Sequence, residues 1–463
     1  MKDLAYFSGL LGSAQLDQNS IASSRELLNR FVSFYSNASY TYDDKYVLSG
    51  SIRWDRSNLW GTNSKYQNKP LWSVGGSWNI YKEKFFQADF VDMLKLRASY
   101  GIGGNIGRNT APYLIASYYD SSLVDGMAGS VNTPPNKDIR WEKTTTVNVG
   151  VDFALFRHRL SGTIEYYNKY SVDLLAAING SPTQGFGYTT LMTNNGKMVN
   201  RGVEITLSGE IIRQKDFSWN ASLLYAFNRN KVKHISVQPS LWDSRISMPT
   251  SYPMVGKPLY GIYAYKWAGL NENGDPQVYD AENNVTSGPA RDYHALVYCG
   301  TTVPIHNASL TNVSRYKGFE FSAMLILDAG HKLRSSNIPS INMSNGRITS
   351  TAKGIVDRWT QPGDVTDVPR LLFSNDTENF NTHRTELYRY SDLFVYDASN
   401  IRLSNISLAY RVPAHWCKKI SLSGARLQFN VENVATFAFD SKANYDLGGK
   451  VKPNYVWGLY LNF

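Results

Sequence analysis

The chain has 463 residues, of which 42% are hydrophobic, with a formal net charge of +10 and a mean hydropathy of −0.35. No apolar run of about 18 residues occurs, which excludes a bundle of transmembrane helices but not a barrel, whose strands are only half apolar. The basic residues are scattered and form no run, which argues against a nucleic-acid partner.

The 31 tyrosines and 11 tryptophans suit β-structure and aromatic girdles at a membrane interface. The N-terminus, Met1 to Phe7, has neither an apolar h-region nor a cleavage site. Residues 1–27 are polar and serine-rich and read as a loop, a remnant of an extracellular connection. The first strand is predicted at 28–42. Asp43-Asp44 forms a tight turn into strand 45–57, where Tyr46, Leu48, Gly50, Ile52 and Trp54 share one face.

After a polar loop to Pro70, strand 71–81 alternates Trp72, Val74, Gly76, Trp78 and Ile80 against Ser73, Gly75, Ser77 and Asn79. Strand 92–102 follows, then a loop-like stretch at 103–140 that holds a short strand at Tyr113–Tyr119. Strand 141–155 is the clearest: Val147, Val149, Val151, Phe153 and Leu155 face one way, with Asn148, Gly150 and Asp152 on the other. The turn Phe156 to Arg159 leads into 159–173. Strands 199–211 and 217–230 meet at a turn near Lys215.

Further strands are predicted at 259–270, 276–281, 307–316, 319–329, 399–411, 423–434 and 453–463. Strand 399–411 changes phase near Ser404-Asn405, which predicts a bulge. The last strand places Tyr455, Trp457, Leu459, Leu461 and Phe463 on one apolar face.

Connections alternate short and long. Short ones fall near 43, 82–91, 157, 214, 273, 317 and 412–422. Long ones fall near 58–70, 103–140, 174–198, 231–258, 282–306, 331–392 and 435–452. This segregation is what an outer-membrane barrel requires, with short periplasmic turns and long extracellular loops. The polar faces carry Arg53, Asp55, Glu165, Glu204, Arg426 and Glu432, which suits a water-filled or plugged lumen. The count is about fifteen strands. An odd number cannot close an all-antiparallel barrel, and an open edge in lipid costs several kcal/mol per unpaired backbone group. The expectation is therefore an all-β, antiparallel transmembrane β-barrel in part, roughly the C-terminal two-thirds of a larger one without its plug domain.

Chemistry is sparse. The seven histidines form no HxxxH or HxH pair, and no GxSxG occurs. Asp43-Asp44 could be a catalytic pair, but a turn explains both residues better. Gly101 to Gly107 is rich in glycine without the phosphate-loop register, and a flexible loop is the better reading. Cys299 and Cys417 fit no zinc or CxxC pattern and leave a single disulfide open. Tyr167 faces the lumen, where wall packing against a plug outweighs stacking on a sugar ring. Trp54, Trp78, Trp219, Trp267 and Trp457 read as interface anchors rather than ligand contacts. No catalytic, metal or cofactor residues are assigned, no substrate contact can be placed, and the chain is not read as an enzyme.

Several segments, in order, resemble one family: Asp55-Arg56-Ser57-Asn58-Leu59-Trp60-Gly61, Trp72 to Ile80, Leu94 to Gly101 with Gly104-Asn105, Trp141-Glu142 with the Val147–Tyr167 hairpin, Gly269-Leu270-Asn271 with Gly274-Asp275-Pro276, Tyr316 to Phe319, Ile401 to Ile406, and Glu432-Asn433-Val434. Nearly the whole chain is similar to the C-terminal part of a SusC/RagA-family TonB-linked outer-membrane transporter (TonB-dependent receptor). Gly is common in that family where Arg56 stands, and Phe where Trp60 stands. The resemblance implies nutrient uptake of a glycan or peptide, a signal peptide, plug and TonB-contacting segment upstream, and a SusD-like lipoprotein lid. It also implies that Phe463 is an assembly signal for the barrel-insertion machinery. The isolated chain is not expected to transport. A secreted β-rich carbohydrate-binding or adhesin protein and a passive porin remain as alternatives.

Overall fold

The structure, a computed structural model, describes residues 30–463 apart from 60, 62, 64–65, 67–68, 108–111, 122–125, 181–182, 184–189, 240–243, 289, 291, 344–350, 374–381 and 449–451. The expected loop remnant at 1–27 lies outside the described residues.

Thirteen strands form one antiparallel sheet in which neighbours in space are neighbours in the chain. They are β1 (Phe31–Tyr42), β2 (Tyr46–Ser57), β3 (Leu71–Asn79), β4 (Val91–Asn105), β5 (Glu142–Leu155), β6 (Leu160–Asn179), β7 (Thr190–Arg213), β8 (Phe217–His234), β9 (His306–Tyr316), β10 (Phe319–Ala329), β11 (Asn400–Arg411), β12 (Gly424–Ala438) and β13 (Asn454–Asn462). β1 and β13 are the two edges, and no pairing joins them among the described residues.

Register carries one alternation across the whole sheet. Leu48 opposes Tyr40 on one side and Gly76 on the other, Leu96 opposes Trp78 and Val151, and Ile164 opposes Val151 and Ile205. At the far end Phe321 opposes Leu408, which opposes Phe429, which opposes Trp457. A one-residue slip anywhere would move apolar side chains to the polar face, so the pattern fixes the pairing. The apolar face stays open: Leu48, Val74, Phe321, Leu408 and Leu459 are all exposed large hydrophobics.

The turns separate by length. At one end lie Asp43-Asp44, both at positive φ (49° and 53°) as a mirror-image hairpin turn requires, Phe156 to His158, 214–216, Lys317-Gly318 and 412–423. At the other lie the long connections 235–305 and 330–399. β6 and β7 run to 20 and 24 residues. Much of the loop expected at 174–198 is therefore strand, reaching roughly 65 Å if straight, past any apolar belt. The Gly101–Asn105 run is not a flexible loop either. It is the end of β4, and its glycines admit close neighbours: a Cβ on Gly101 would lie 2.7 Å from Ser73 Cβ.

Two expected wall strands are not in the wall. Segment 259–270 becomes Gly261–Tyr265 and Trp267–Leu270, and 276–281 becomes Pro276–Tyr279, all in separate small sheets. Removing them takes the expected fifteen to thirteen, and the short connection near 273 is a loop-layer turn. The physical reason is burial on both faces: Ile262, Tyr263, Ala264 and Tyr265 are all buried. The expected bulge is present, as the register of β11 shifts between Leu403 and Asn405 against both neighbours.

The buried core lies in the long connections. Tyr263, Tyr265, Val278, Leu296 and Leu387 form one cluster, and Ile341, Tyr388 and Phe394 another. A hairpin of Ile115–Ser121 and Gly126–Thr133 stands where a single short strand was expected.

Candidate functional site

The polar face of the sheet is a web of charges held between strands. Arg97 on β4 reaches Asp152 on β5 at 3.2 Å and Glu165 on β6 at 2.6 Å. Its guanidinium lies over Gly150, where a Cβ would come within 3.0 Å of Arg97 Cζ, so the glycine makes room for the bridge. Asn148 also donates to Glu165, and Thr163 donates to Asp152 at 3.0 Å. On β2, Arg53 donates to both oxygens of the buried Asp55. Glu320 on β10 accepts from Arg315 and Arg426 on its two sides, at 2.8 and 3.1 Å.

Of the expected polar-face charges, Arg53, Asp55, Glu165 and Arg426 are thus joined to these pairs. Glu204 and Glu432 share that face by register, without a charged partner within ion-pair distance among the described residues. Such a face suits contact with water.

Tyr167 shares this face. It is 8% exposed, its ring packs over Gly202, and Lys169 Nζ lies 4.7 Å from the ring centroid. No open ring face remains for a sugar, and the packing is within the wall itself.

The apolar face is bordered by aromatics. Towards the short turns Trp78 stacks with Tyr46 and donates to Glu83 at 3.0 Å, and Phe319 packs on Tyr410. Towards the long connections Trp54 stacks with Phe34, and Trp72 packs on Tyr100. An indole or phenol with an apolar body and a polar edge belongs at a lipid–water boundary. Trp219 donates to Asn312 at 3.3 Å, and Trp457 packs on Phe429. Trp267 is the exception among the expected anchors. It packs on Tyr388 inside the loop layer and donates to Asp367 at 3.0 Å.

The loop layer is organised by an ion cluster that sequence reasoning missed. Asp275 accepts from Arg370 at 2.8 and 3.0 Å and from Arg384 at 3.0 Å. Arg384, on helix α1 (Thr382–Arg389), is 3% exposed and also donates to the carbonyls of Ile341 and Arg370. Asn271 Oδ1 caps the preceding turn by accepting from the N–H groups of Asn273 and Asp275. Gly274 sits at φ +74° with Trp359 against it, where a Cβ would fall 2.4 Å from the indole. The motif Gly269 to Pro276 therefore anchors loops and not wall.

Gly61 of the first motif has a similar cause. Its N–H donates to Ile139 O at 2.9 Å, and a Cβ there would lie 2.0 Å from Lys137 O.

Cys299 and Cys417 are both free thiols, at opposite ends of the sheet. Burial pushes the Cys299 thiol up to about 11. Asp43-Asp44 is a turn, with Asp43 paired to Lys45 at 2.7 Å. Among the described residues no three His, Cys, Asp or Glu side chains are grouped to hold a metal ion.

Comparison with known proteins agrees with this geometry. The sequence profile of the family described as TonB dependent receptor-like, beta-barrel matches residues 5–434. TonB-dependent receptor P3 of Formosa agariphila is 26% identical over 97% of this chain and 45% of the relative. TonB-dependent receptor SusC of Bacteroides thetaiotaomicron is 25% identical over 88% of this chain and 40% of the relative. The chain spans less than half the length of these curated relatives. Among solved structures, the RagAB peptide transporter superposes with a TM-score of 0.76 at 23% identity, covering 97% of this chain and 50% of that one, and shares the fold. An apolar outer face, a polar inner face and loops segregated by length are the features of an outer-membrane barrel. The chain belongs to the TonB-dependent receptor β-barrel family of the outer membrane.

Proposed function

We propose that this chain supplies barrel wall and extracellular loops to a TonB-energised importer of oligosaccharides or peptides. In this reading it is the C-terminal part of the receptor, and a SusD-like lipoprotein holds substrate over the long-loop end. The TonB complex acts through a plug domain of the receptor. The observation that supports the reading is the polar face: most of its charges are paired, several of them across neighbouring strands, which suits a hydrated surface facing a passing solute. The RagAB structure that shares this fold is described as a peptide transporter, which favours a peptide, and the oligosaccharide alternative is what the SusC/RagA resemblance implies.

The test is uptake of labelled peptides and oligosaccharides by cells carrying the whole transporter. Uptake is expected to stop when the proton-motive force is collapsed, and to be absent from liposomes holding this chain alone. Uptake that persists without that force would favour a passive porin. Solubility of the chain without detergent would favour a secreted binding protein.

Phe463 is assigned as the assembly signal. It directly follows β13, in the sequence phase of Trp457 and Leu461, and is 91% exposed, which leaves its ring free for the insertion machinery. Its deletion is expected to lower outer-membrane levels; unchanged levels would remove the assignment.

A further inference from the structure

One group of cations sits on the wrong face for a lumen. Phe227 on β8 opposes Val203 and His306, with Tyr225 two residues before it on the apolar face. Arg229 and Lys231 continue that alternation towards the long-loop end. Arg229 stands directly opposite Arg201, and Lys231 opposite Val199. The chain returns alongside, with Val232 N–H donating to Lys257 O at 2.9 Å, and Lys257 Nζ lies 4.9 Å from the Tyr298 ring.

These three cations line one cavity of about 410 Å³ together with the apolar Phe227, Pro304 and Ile305. On the polar face Arg53, Arg97, Arg315 and Arg426 each have a carboxylate. None lies within ion-pair distance of Arg229, Lys231 or Lys257 among the described residues. Three like charges around one apolar hollow repel each other until an anion joins them. By register Arg229 and Lys231 stand on the outward face of β8, beyond Tyr225 and Phe227 towards the long-loop end.

We propose that Arg229, Lys231 and Lys257 bind the phosphate of an outer-leaflet glycolipid, whose acyl chain lies on Phe227, Pro304 and Ile305. Guanidinium and ammonium groups suit phosphate oxygens. A free anion would use the cations without the apolar side chains; a lipid uses both.

The experiment uses the whole transporter, purified from outer membranes and freed of lipid in detergent. Binding of monophosphoryl lipid A is measured, with its dephosphorylated form and inorganic phosphate as separate arms. The variant carrying Arg229→Gln, Lys231→Gln and Lys257→Gln is expected to lose at least about tenfold in affinity. Dephosphorylated lipid is expected to bind the unaltered protein equally weakly, and millimolar phosphate to leave the lipid bound. Equal affinity in the triple variant overturns the proposal, as does displacement of lipid by inorganic phosphate. Failure of the unaltered protein to bind lipid A overturns it too. Should the triple variant not reach the membrane, Lys257→Gln alone is read against Lys257→Arg, with loss expected in the first and retention in the second; equal binding in these two again overturns the proposal.

Discussion

The wall and the loop layer solve the burial problem in opposite ways. In the wall the greasy side chains point outward and stay exposed, and charges on the other face are tied across strands. In the loop layer Ala264, Tyr265, Val278 and Ile341 have no exposure at all, and a charge cluster sits among them. All but Cys417 of the largest fully buried side chains lie in the two long connections, 235–305 and 330–399. The wall is thus stabilised by backbone pairing in a medium that offers no competing hydrogen bonds. The loop layer folds as a water-soluble protein does, by removing apolar surface from water. One sequence holds both solvents' rules, and damage to one region should leave the other standing.

The largest expected effect is in the loop layer. Asp275→Ala leaves the guanidinium of Arg384 buried without its carboxylate, a loss of about 3–5 kcal/mol. Arg370 loses its two-pronged partner in the same change. Hydrogen exchange should quicken across 261–279 and 382–397 and stay unchanged in β5 to β7. Equal loosening of the wall would mean that the two regions are one cooperative unit.

A smaller effect separates the two faces of a single strand. Leu325 lies on the apolar face of β10, near its middle, and Ser322 on the polar face. Leu325→Lys is expected to cost about 2–4 kcal/mol in lipid, the range for a cation near the midplane. Ser322→Lys is expected to stay within about 0.5 kcal/mol, as a solvated substitution does. Unfolding titrations in vesicles compare the two. Similar losses would deny that one face meets lipid and the other water.

The wall was legible because a half-buried strand writes its two environments in alternate residues. Even the bulge in β11 was legible, since Leu403 and Ile406 break the phase. Segment 259–270 misled for the same reason. Tyr263, Tyr265 and Trp267 alternate like a lipid-facing strand, yet Ile262 and Ala264 on the opposite face are apolar as well. That unbroken run is the mark of a strand covered on both sides. The Asp275 cluster was beyond reach because its arginines stand 95 and 109 residues away. No local period links residues that far apart. The outward cations were harder to see: Arg229 lay inside the strand expected at 217–230, while Lys231 and Lys257 fell in the loop expected to follow it, and register joined them to one strand end.

The smallest predicted effect is a pH window that belongs to the loop layer. Asp397 pairs with Lys332 at 3.1 Å, joining Lys332–Arg334 to Val395–Asp397 just above the wall. Burial opposes its charge, but the hydroxyl and N–H of Ser399 and the Lys332 ammonium outweigh burial and hold the carboxyl down at about 2. An unfolded loop would protonate the same group near its ordinary 3.8. The unfolded form therefore binds more protons between those values, so the pairing stabilises fully above about pH 4 and is lost as pH falls through about 2. Both partners are more than a third exposed, so solvent screens the pair and the gain is modest. Carboxyl NMR of Asp397 should place its midpoint near the lower value, and Asp397→Asn should remove the acid-dependent loosening of 332–334 without touching β10 or β11. A midpoint at 3.8 would show that Ser399 and Lys332 do not hold the carboxylate, and that this strap is packed in place rather than tied by charge.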